Sequence, residues 1–252
     1  IGVFSILATM ANAEKFGLRF DVVDDLTGPR VGRPKSATFR TADVVGLDTL
    51  VHVVNTMRDT LPNDPWHSLF AAPDWLSALM ARGALGQKTR AGIYKKDGKT
   101  MLVLDPATGE YIGAGETAAD EVKAILKEAD PVIKFRKLRE SEHPQAQFLW
   151  ACFRDVFHYI AFHLAEVADN ARDIDLAIRW GFGWTTGPFE TWQAAGWQTV
   201  RQWIQDDIAA GKTLSPAHLP MWVSEADRAG VHSPLGSYNA AQDCLEGRST
   251  LD

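Results

Sequence analysis

Apolar side chains recur at helical spacing along the first sixteen residues, through Val3, Phe4, Leu7, Met10 and Ala11, and Gly17 closes the run. A short helical turn near 22–26 leads into "TGPRVGRP", where Gly28, Pro29, Gly32 and Pro34 enforce a loop. Residues 38–45 read as a short helix ended by Gly46, and Asp48 stands where it could cap a following helix over 49–61. Leu50, Val51, Val54, Met57 and Leu61 form the apolar stripe of that helix. "PDWLSALMARG" predicts another, with Asp74 as its cap and Gly83 just past its end. The period then changes from helical to alternating. "AGIYKKDGKTMLVLDPATGEYIG" holds three strand-like runs, split by Asp97-Gly98 and by "DPATG", and predicts a small β-meander near 92–113.

Helical spacing returns over 118–128, 132–138 and 144–168. In the longest of these, Pro144 suits a first turn, while Phe148, Ala151, Val156, Ile160 and Leu164 are spread widely enough for burial on more than one side. A helix over 199–209 follows. From Ser215 the chain is punctuated by Pro and Gly, and "GVHSPLGSYNAAQDCLEGRSTLD" reads as a connector.

Two stretches share a pattern. In "TFRTADVVGLDTL" and "PFETWQAAGWQTV", Phe39 matches Phe189, Thr41 matches Thr191, Gly46 matches Gly196 and Thr49 matches Thr199, all at an offset of 150. Asp25-Leu26 falls opposite Asp175-Leu176 at the same offset, and "GPRVGRP" falls opposite "RWGFGWTTG". Two copies are too few for a solenoid, and a pair of helical units packs naturally about a two-fold axis. The expected fold is therefore mainly α: two tandem helical units related by a pseudo-two-fold, with the β-meander as an insertion. Residues 1–115 form the first unit, 116–214 the second, and 215–252 a tail.

Composition narrows the class. Of 252 residues, 46% are hydrophobic and 23% charged, the balance of a globular chain that can bury a core. A net charge of −6 argues against nucleic acid or an anionic membrane as partner. Cys152 and Cys244 are too few for a disulfide framework or a thiolate metal site, which favours a cytoplasmic location. The apolar opening is cut short by Asn12, Glu14 and Lys15, so it is read as neither signal peptide nor membrane span. With no initiator methionine, the sequence reads as a domain taken from a longer protein, starting inside its first helix.

"DIDLAIRWGFGWTTGPFETWQAAGW", "ADVVGLDT" and "GALGQKTRAGIY" together resemble the C-terminal helical domain of 3-hydroxyacyl-CoA dehydrogenases. The variant "GPRVGRPKSATFRTADVVGLDT", followed by a second such unit, is similar to bacterial multifunctional fatty-acid oxidation proteins in which an enoyl-CoA hydratase domain is fused to the dehydrogenase. The resemblance covers roughly residues 1–235. Departures are Ala37-Thr38-Phe39 in place of Gly-Pro-Phe, Arg90 in place of Gly, and Ile93 in place of an aromatic residue. Gln193 and Gln198 replace acidic residues, which implies drift of the second unit toward a structural role.

The resemblance implies oxidation of a 3-hydroxyacyl-CoA to the 3-oxoacyl-CoA, in fatty-acid β-oxidation, with NAD. It places the catalytic His–Glu pair and the nucleotide in a separate domain, and a thioester-orienting Asn just before this chain begins. The residues agree with that division. "WGFGWTTG" lacks the spacing of a dinucleotide loop, and no Gly-x-Gly-x-x-Gly follows a strand. No catalytic, cofactor or metal residue is therefore expected here, and the chain alone is expected to be inactive. His52, His67, His143, His158, His163, His218 and His232 are read as structural or solvated, since His158 and His163 are not at the spacing of four that shares a helix face. "GRPKS", residues 32–36, lacks the Gly-Lys adjacency of a P-loop. Val3, Phe4 and Leu7 are the candidate substrate-binding residues, an apolar wall for the acyl chain, with core packing as the competing reading. The expected partners are the substrate, the protein's own nucleotide-binding domain and a fused hydratase domain; the fragment itself is expected to be monomeric. The alternative function is a non-catalytic helical interaction or linker module. A dehydrogenase of small hydroxy acids fits less well, for want of the Gly-Pro-Phe repeat.

Overall fold

In a computed structural model, which describes residues 1–225 and 228–247, the chain is helical apart from two small sheets. The first unit comprises α1 (Gly2–Lys15), α2 (Phe20–Leu26), α3 (Phe39–Val45), α4 (Leu47–Thr60), α5 (Asp74–Ala81) and strands β1 (Tyr94–Asp97), β2 (Thr100–Leu104) and β3 (Tyr111–Gly113). Two connecting helices, α6 (Asp120–Leu126) and α7 (Pro131–Glu140), lead to the second unit. That unit holds α8 (Pro144–Val167), α9 (Ala171–Phe182), α10 (Pro188–Ala194) and α11 (Trp197–Ala209), and then β4 (His232–Ser233), β5 (Gly236–Asn239) and β6 (Cys244–Glu246).

The meander forms as the alternation predicts, antiparallel throughout, with Tyr94 opposite Val103 and Asp97 opposite Thr100 across the Gly98 turn. The stretch expected to be a connector folds into a second antiparallel three-stranded sheet, with Ser237 opposite Glu246 and Tyr238 opposite Leu245. Its strands are two to four residues long and largely polar, so backbone pairing holds them where no apolar alternation could announce them. The last residues of that stretch, 248–252, lie outside the described residues. The helix ends also differ. Gly46, at φ +99°, is the N-cap of α4, and Asp48 instead sits in its first turn and pairs with Lys88. Asp74 likewise lies inside α5, with Pro73 at the cap position.

α1 packs along α8, whose residues from Phe148 to Leu164 are nearly all buried. Phe4 of α1 stacks on Tyr159 of α8 at 3.7 Å between ring centroids. The two Gly-rich loops touch each other: the Thr185 amide donates to the Gly32 carbonyl at 2.8 Å, and the Arg33 guanidinium lies 4.1 Å from the Trp184 ring. Gly2 lets the start of α1 approach the end of α9, since a Cβ there would fall 1.9 Å from Cζ of Phe182. In the second unit Phe157, Trp192 and Trp197 form a stacked aromatic column.

Candidate functional site

Each unit is keyed by a buried carboxylate. Asp24 at the end of α2 accepts from the backbone amides of Thr38 (3.1 Å), Phe39 (2.7 Å) and Arg40 (3.1 Å), which open α3, and from the Tyr94 hydroxyl at 2.8 Å. Asp175 in α9 accepts from the amides of Phe189 (2.8 Å) and Glu190 (3.1 Å), which open α10, and meets Nε2 of His232 at 2.7 Å. Each fold therefore satisfies free helix-start donors with one negative side chain. Asp24, and not Asp25, is thus the counterpart of Asp175. The loop between carboxylate and Phe is one residue longer in the first unit, which shifts the alignment by one at that point. Asp25 turns outward to the Ala118 amide and to Arg30.

A second key fastens each sheet. Asp43 of α3 accepts from the amides of Ile93 and Tyr94, both at 2.8 Å. Gln193 of α10 takes the same two positions, its Oε1 accepting from Val231 and His232 at 2.9 Å each. The acid-to-amide exchange at Gln193 therefore keeps the acceptor that the architecture needs, and its Nε2 adds a bond to the His232 carbonyl at 2.9 Å. Gln198 also serves structure, donating to the Glu225 and Arg228 carbonyls. The glycine before each amide pair is required by close approach. A Cβ on Gly92 would lie 2.1 Å from Asp43 Oδ1, and one on Gly230 2.1 Å from Gln193 Oε1. The signal for this second sheet is the likeness of "RAGIY" to "RAGVH", which stand at a different offset from the rest of the repeat. Burial pushes Asp24 and Asp43 up to about 6 and raises Asp175, the amide and hydroxyl donors only partly offsetting the loss of water.

The Gly-Pro-Phe-Glu element is explained by the same geometry. A Cβ on Gly187 would collide with Asp175, Pro188 fits the first turn of α10, and Glu190 accepts from the Gly187 amide at 2.7 Å. Arg90 occupies a left-handed conformation (φ +59°) where the resemblance expects glycine.

The candidate substrate residues separate. Phe4 is fully buried between Tyr159 and Trp66, and Leu7 is buried; Val3 is half-buried and packs against the core. The histidines disperse. His143 caps α8 by accepting from the Gln145 amide, and His52 and His218 are exposed. His158 meets the Ala217 carbonyl at 2.8 Å and is pushed down to about 4 by burial, so it is neutral at neutral pH. His158 and His163 both flank Trp66, whose ring bridges the gap their spacing leaves. Residues 32–36 serve contact between the units through Gly32 and Arg33.

One polar cluster has only a faint sequence signal, "FRD" inside the apolar run of α8. Arg154 makes a bidentate pair with Asp155 and reaches Asp207 of α11 at 3.2 Å; Asn12 of α1 donates to Asp155 at 3.0 Å. Arg139 and the Trp150 indole complete the set at Asp207. Its members join α1, α7, α8 and α11 through mutual ion pairs and hydrogen bonds, which fits a fastening.

Both sheets are antiparallel three-stranded meanders, and among the described residues no parallel strand pair offers the crevice that receives a dinucleotide. Among them, too, no group of three His, Cys, Asp or Glu side chains could hold a metal ion, and no helix is long and apolar enough to cross a membrane.

Residues 4–96 match the family model of the 3-hydroxyacyl-CoA dehydrogenase C-terminal domain. A "probable 3-hydroxyacyl-CoA dehydrogenase" of Bacillus subtilis is 36% identical over 225 residues, 89% of this chain and 27% of that protein. One of the same name from Deinococcus radiodurans is 44% identical over 96 residues, 38% of this chain and 27% of its own length. A Rickettsia felis protein described as a fatty acid oxidation complex trifunctional enzyme is 25% identical over 207 residues, 79% of this chain and 27% of that protein. The chain thus spans about a quarter of the length of these relatives. Residues 4–96 thus match the 3-hydroxyacyl-CoA dehydrogenase C-terminal domain, and most of the chain, with its carboxylate-keyed helices, is similar to one region of a protein named for that dehydrogenase.

Proposed function

We propose that this chain is the substrate-cleft and assembly part of an NAD-dependent 3-hydroxyacyl-CoA dehydrogenase of fatty-acid β-oxidation. The observation that supports it best is the paired, Asp-keyed architecture together with a dehydrogenase-named relative that matches it across both units. The nucleotide and the proton-accepting base belong to a separate nucleotide-binding domain. This chain contributes an apolar wall and a rigid base. Val3 faces the acyl group, and Phe4 and Leu7 back it from the core, fixing the pitch of α1 through the Tyr159 and Trp66 rings. Water excluded from such a wall strengthens the electrostatic interactions made by the opposing domain.

The similarity to the Rickettsia relative supports fusion to further fatty-acid oxidation activities, among them an enoyl-CoA hydratase domain. Because the two units bury their mating surfaces against each other, the chain on its own is a monomer, and light scattering gives a mass near 27.8 kDa. Calorimetry tests the division of labour: titration of the chain with NAD gives no binding, and micromolar binding would overturn the assignment. In the complete enzyme, Val3→Trp raises KM for long-chain substrates and leaves kcat nearly unchanged. An unaltered KM removes α1 from the cleft.

A further inference from the structure

The first unit carries a basin of about 520 Å³ where α3, the 3₁₀ turn at Gln87–Thr89 and the β1–β2 hairpin converge. Arg40, Arg90 and Lys96 stand in its wall, with Tyr94, Met101, Gly86 and Gly98 around them. The carboxylate in the wall, Asp43, is turned to the amides of Ile93 and Tyr94. Arg40 lies 4.2 Å from the Tyr94 ring and makes a long ion pair with Asp24 at 3.9 Å, which leaves most of its donors available. No ion pair or side-chain hydrogen bond joins Arg90 or Lys96 to another described residue. On a chain of net charge −6, this is a local concentration of the opposite sign.

The duplication supplies an internal control. Wherever the fold dictates a residue, the second unit keeps its function: Asp175 for Asp24, Gln193 for Asp43, Gly230 for Gly92. The cations are not kept. Glu190 stands at the position of Arg40, and Pro234 follows His232 by two residues as Lys96 follows Tyr94. Arg228 answers to Arg90 but is fully engaged, donating to the Trp222 carbonyl, pairing with Glu225 and stacking on Tyr238. The same architecture therefore forms without a cation at the positions of Arg40 and Lys96, and with the counterpart of Arg90 engaged. Arg90 furthermore holds its guanidinium there from a left-handed backbone, a conformation unfavourable for a non-glycine residue.

The geometry points to a phosphate-binding site in this basin, with Arg40, Arg90 and Lys96 as its ligands and a nucleotide phosphate ester as the occupant. Guanidinium groups pair with phosphate oxygens through parallel donors, the lysine adds a point charge, and the glycines leave room for close approach. The exposed Met101 side chain offers an apolar surface on which the nucleoside can rest. Coenzyme A carries such phosphates. Attributing the ligand to it rests on the function proposed above, whereas the anion site itself does not.

Calorimetric titration of this chain with adenosine 3′,5′-bisphosphate tests the site, with AMP and inorganic pyrophosphate as comparison ligands. Saturable binding is expected, weakened by added salt. Arg90→Gly and Lys96→Gln each weaken it about tenfold. Glycine suits the left-handed backbone at position 90, so the first variant removes the charge without endangering the fold. Lys99→Gln, in the same hairpin turn but outside the basin wall, leaves affinity unchanged. Absence of saturable binding at millimolar ligand overturns the site, as does binding that both basin variants leave intact or that Lys99→Gln weakens equally. AMP binding as tight as the bisphosphate supports the phosphate site and overturns the attribution to coenzyme A, while the proposed enzymatic role stands or falls on the NAD and Val3 measurements.

Discussion

Phe4→Ala decides between the two uses of α1, since its ring either fills the core or meets substrate. The side chain has no exposed surface, stacks on Tyr159 at 3.7 Å and meets Trp66 edge-on at 6.1 Å. Truncating a buried phenylalanine removes its transfer free energy and leaves a cavity, about 3–5 kcal/mol in all. For a chain of this length that lowers Tm by roughly 6–20 °C. Part of the loss belongs to the ring pair itself, about 0.5–1.5 kcal/mol, which a cycle of Phe4→Leu, Tyr159→Leu and the double variant isolates. Because the pair joins α1 to α8, the loss also tests whether the two units unfold together. Guanidinium unfolding, followed by tryptophan fluorescence and by circular dichroism, should show one shared transition moved to lower denaturant. A loss below about 1 kcal/mol, or two separated transitions with only one displaced, would refute the interlocked core.

Three further outcomes follow from the keys and the polar cluster. Gly230→Ala, which pushes a Cβ to 2.1 Å from Gln193 Oε1, costs about 1–3 kcal/mol in denaturant unfolding. Gly113→Ala, with open space around it and no left-handed backbone, should cost less than about 0.5 kcal/mol; an equally small loss at Gly230 would remove the key. Asp24 and Asp43, pushed up to about 6, bind protons in the folded state that the unfolded chain has already released, so their contribution to stability is full below pH ~4 and is lost as pH rises through ~6. The stability difference between the wild type and Asp24→Asn should therefore move against the wild type between pH 4.5 and pH 7, and movement the other way contradicts the reading. Asp155→Ala takes the bidentate partner from the buried Arg154, leaving it Asp207, and should cost about 1–3 kcal/mol, whereas Arg154→Met with Asp155→Leu recovers part of that; a single variant of wild-type stability would show the cluster to be solvated.

The helices and the first meander were legible because their periods are carried by side chains: the stripe of α4 and the broad apolar run of α8 announce their burial. The second sheet was hidden because its ladder is written in backbone bonds and its residues are polar. The carboxylate key was legible in kind but misplaced by one residue, because adjacent Asp24 and Asp25 offer equal candidates and only the amides of Thr38, Phe39 and Arg40 distinguish them. Gln193 looked like lost chemistry in the sequence, whereas the structure shows an acceptor conserved in function by a different side chain. Phe4 and Leu7 could not be told from cleft residues by spacing, since an apolar face toward substrate and one toward α8 share the same period. The cationic basin left no local motif at all, for Arg40, Arg90 and Lys96 meet only through tertiary folding.

The hydrogen bond from Thr185 to Gly32 joins two loops that, in a pair of identical subunits, would have to remain copies of each other. Written into a single polypeptide, the halves are released from that constraint. A change such as tyrosine to histidine at the sheet key, or arginine to glutamate beside it, is made once, and its cost falls on one side while the other keeps the pairing true. Covalent tandem linkage thus lets a symmetric frame carry unlike surfaces, and holds the mating faces together at any dilution.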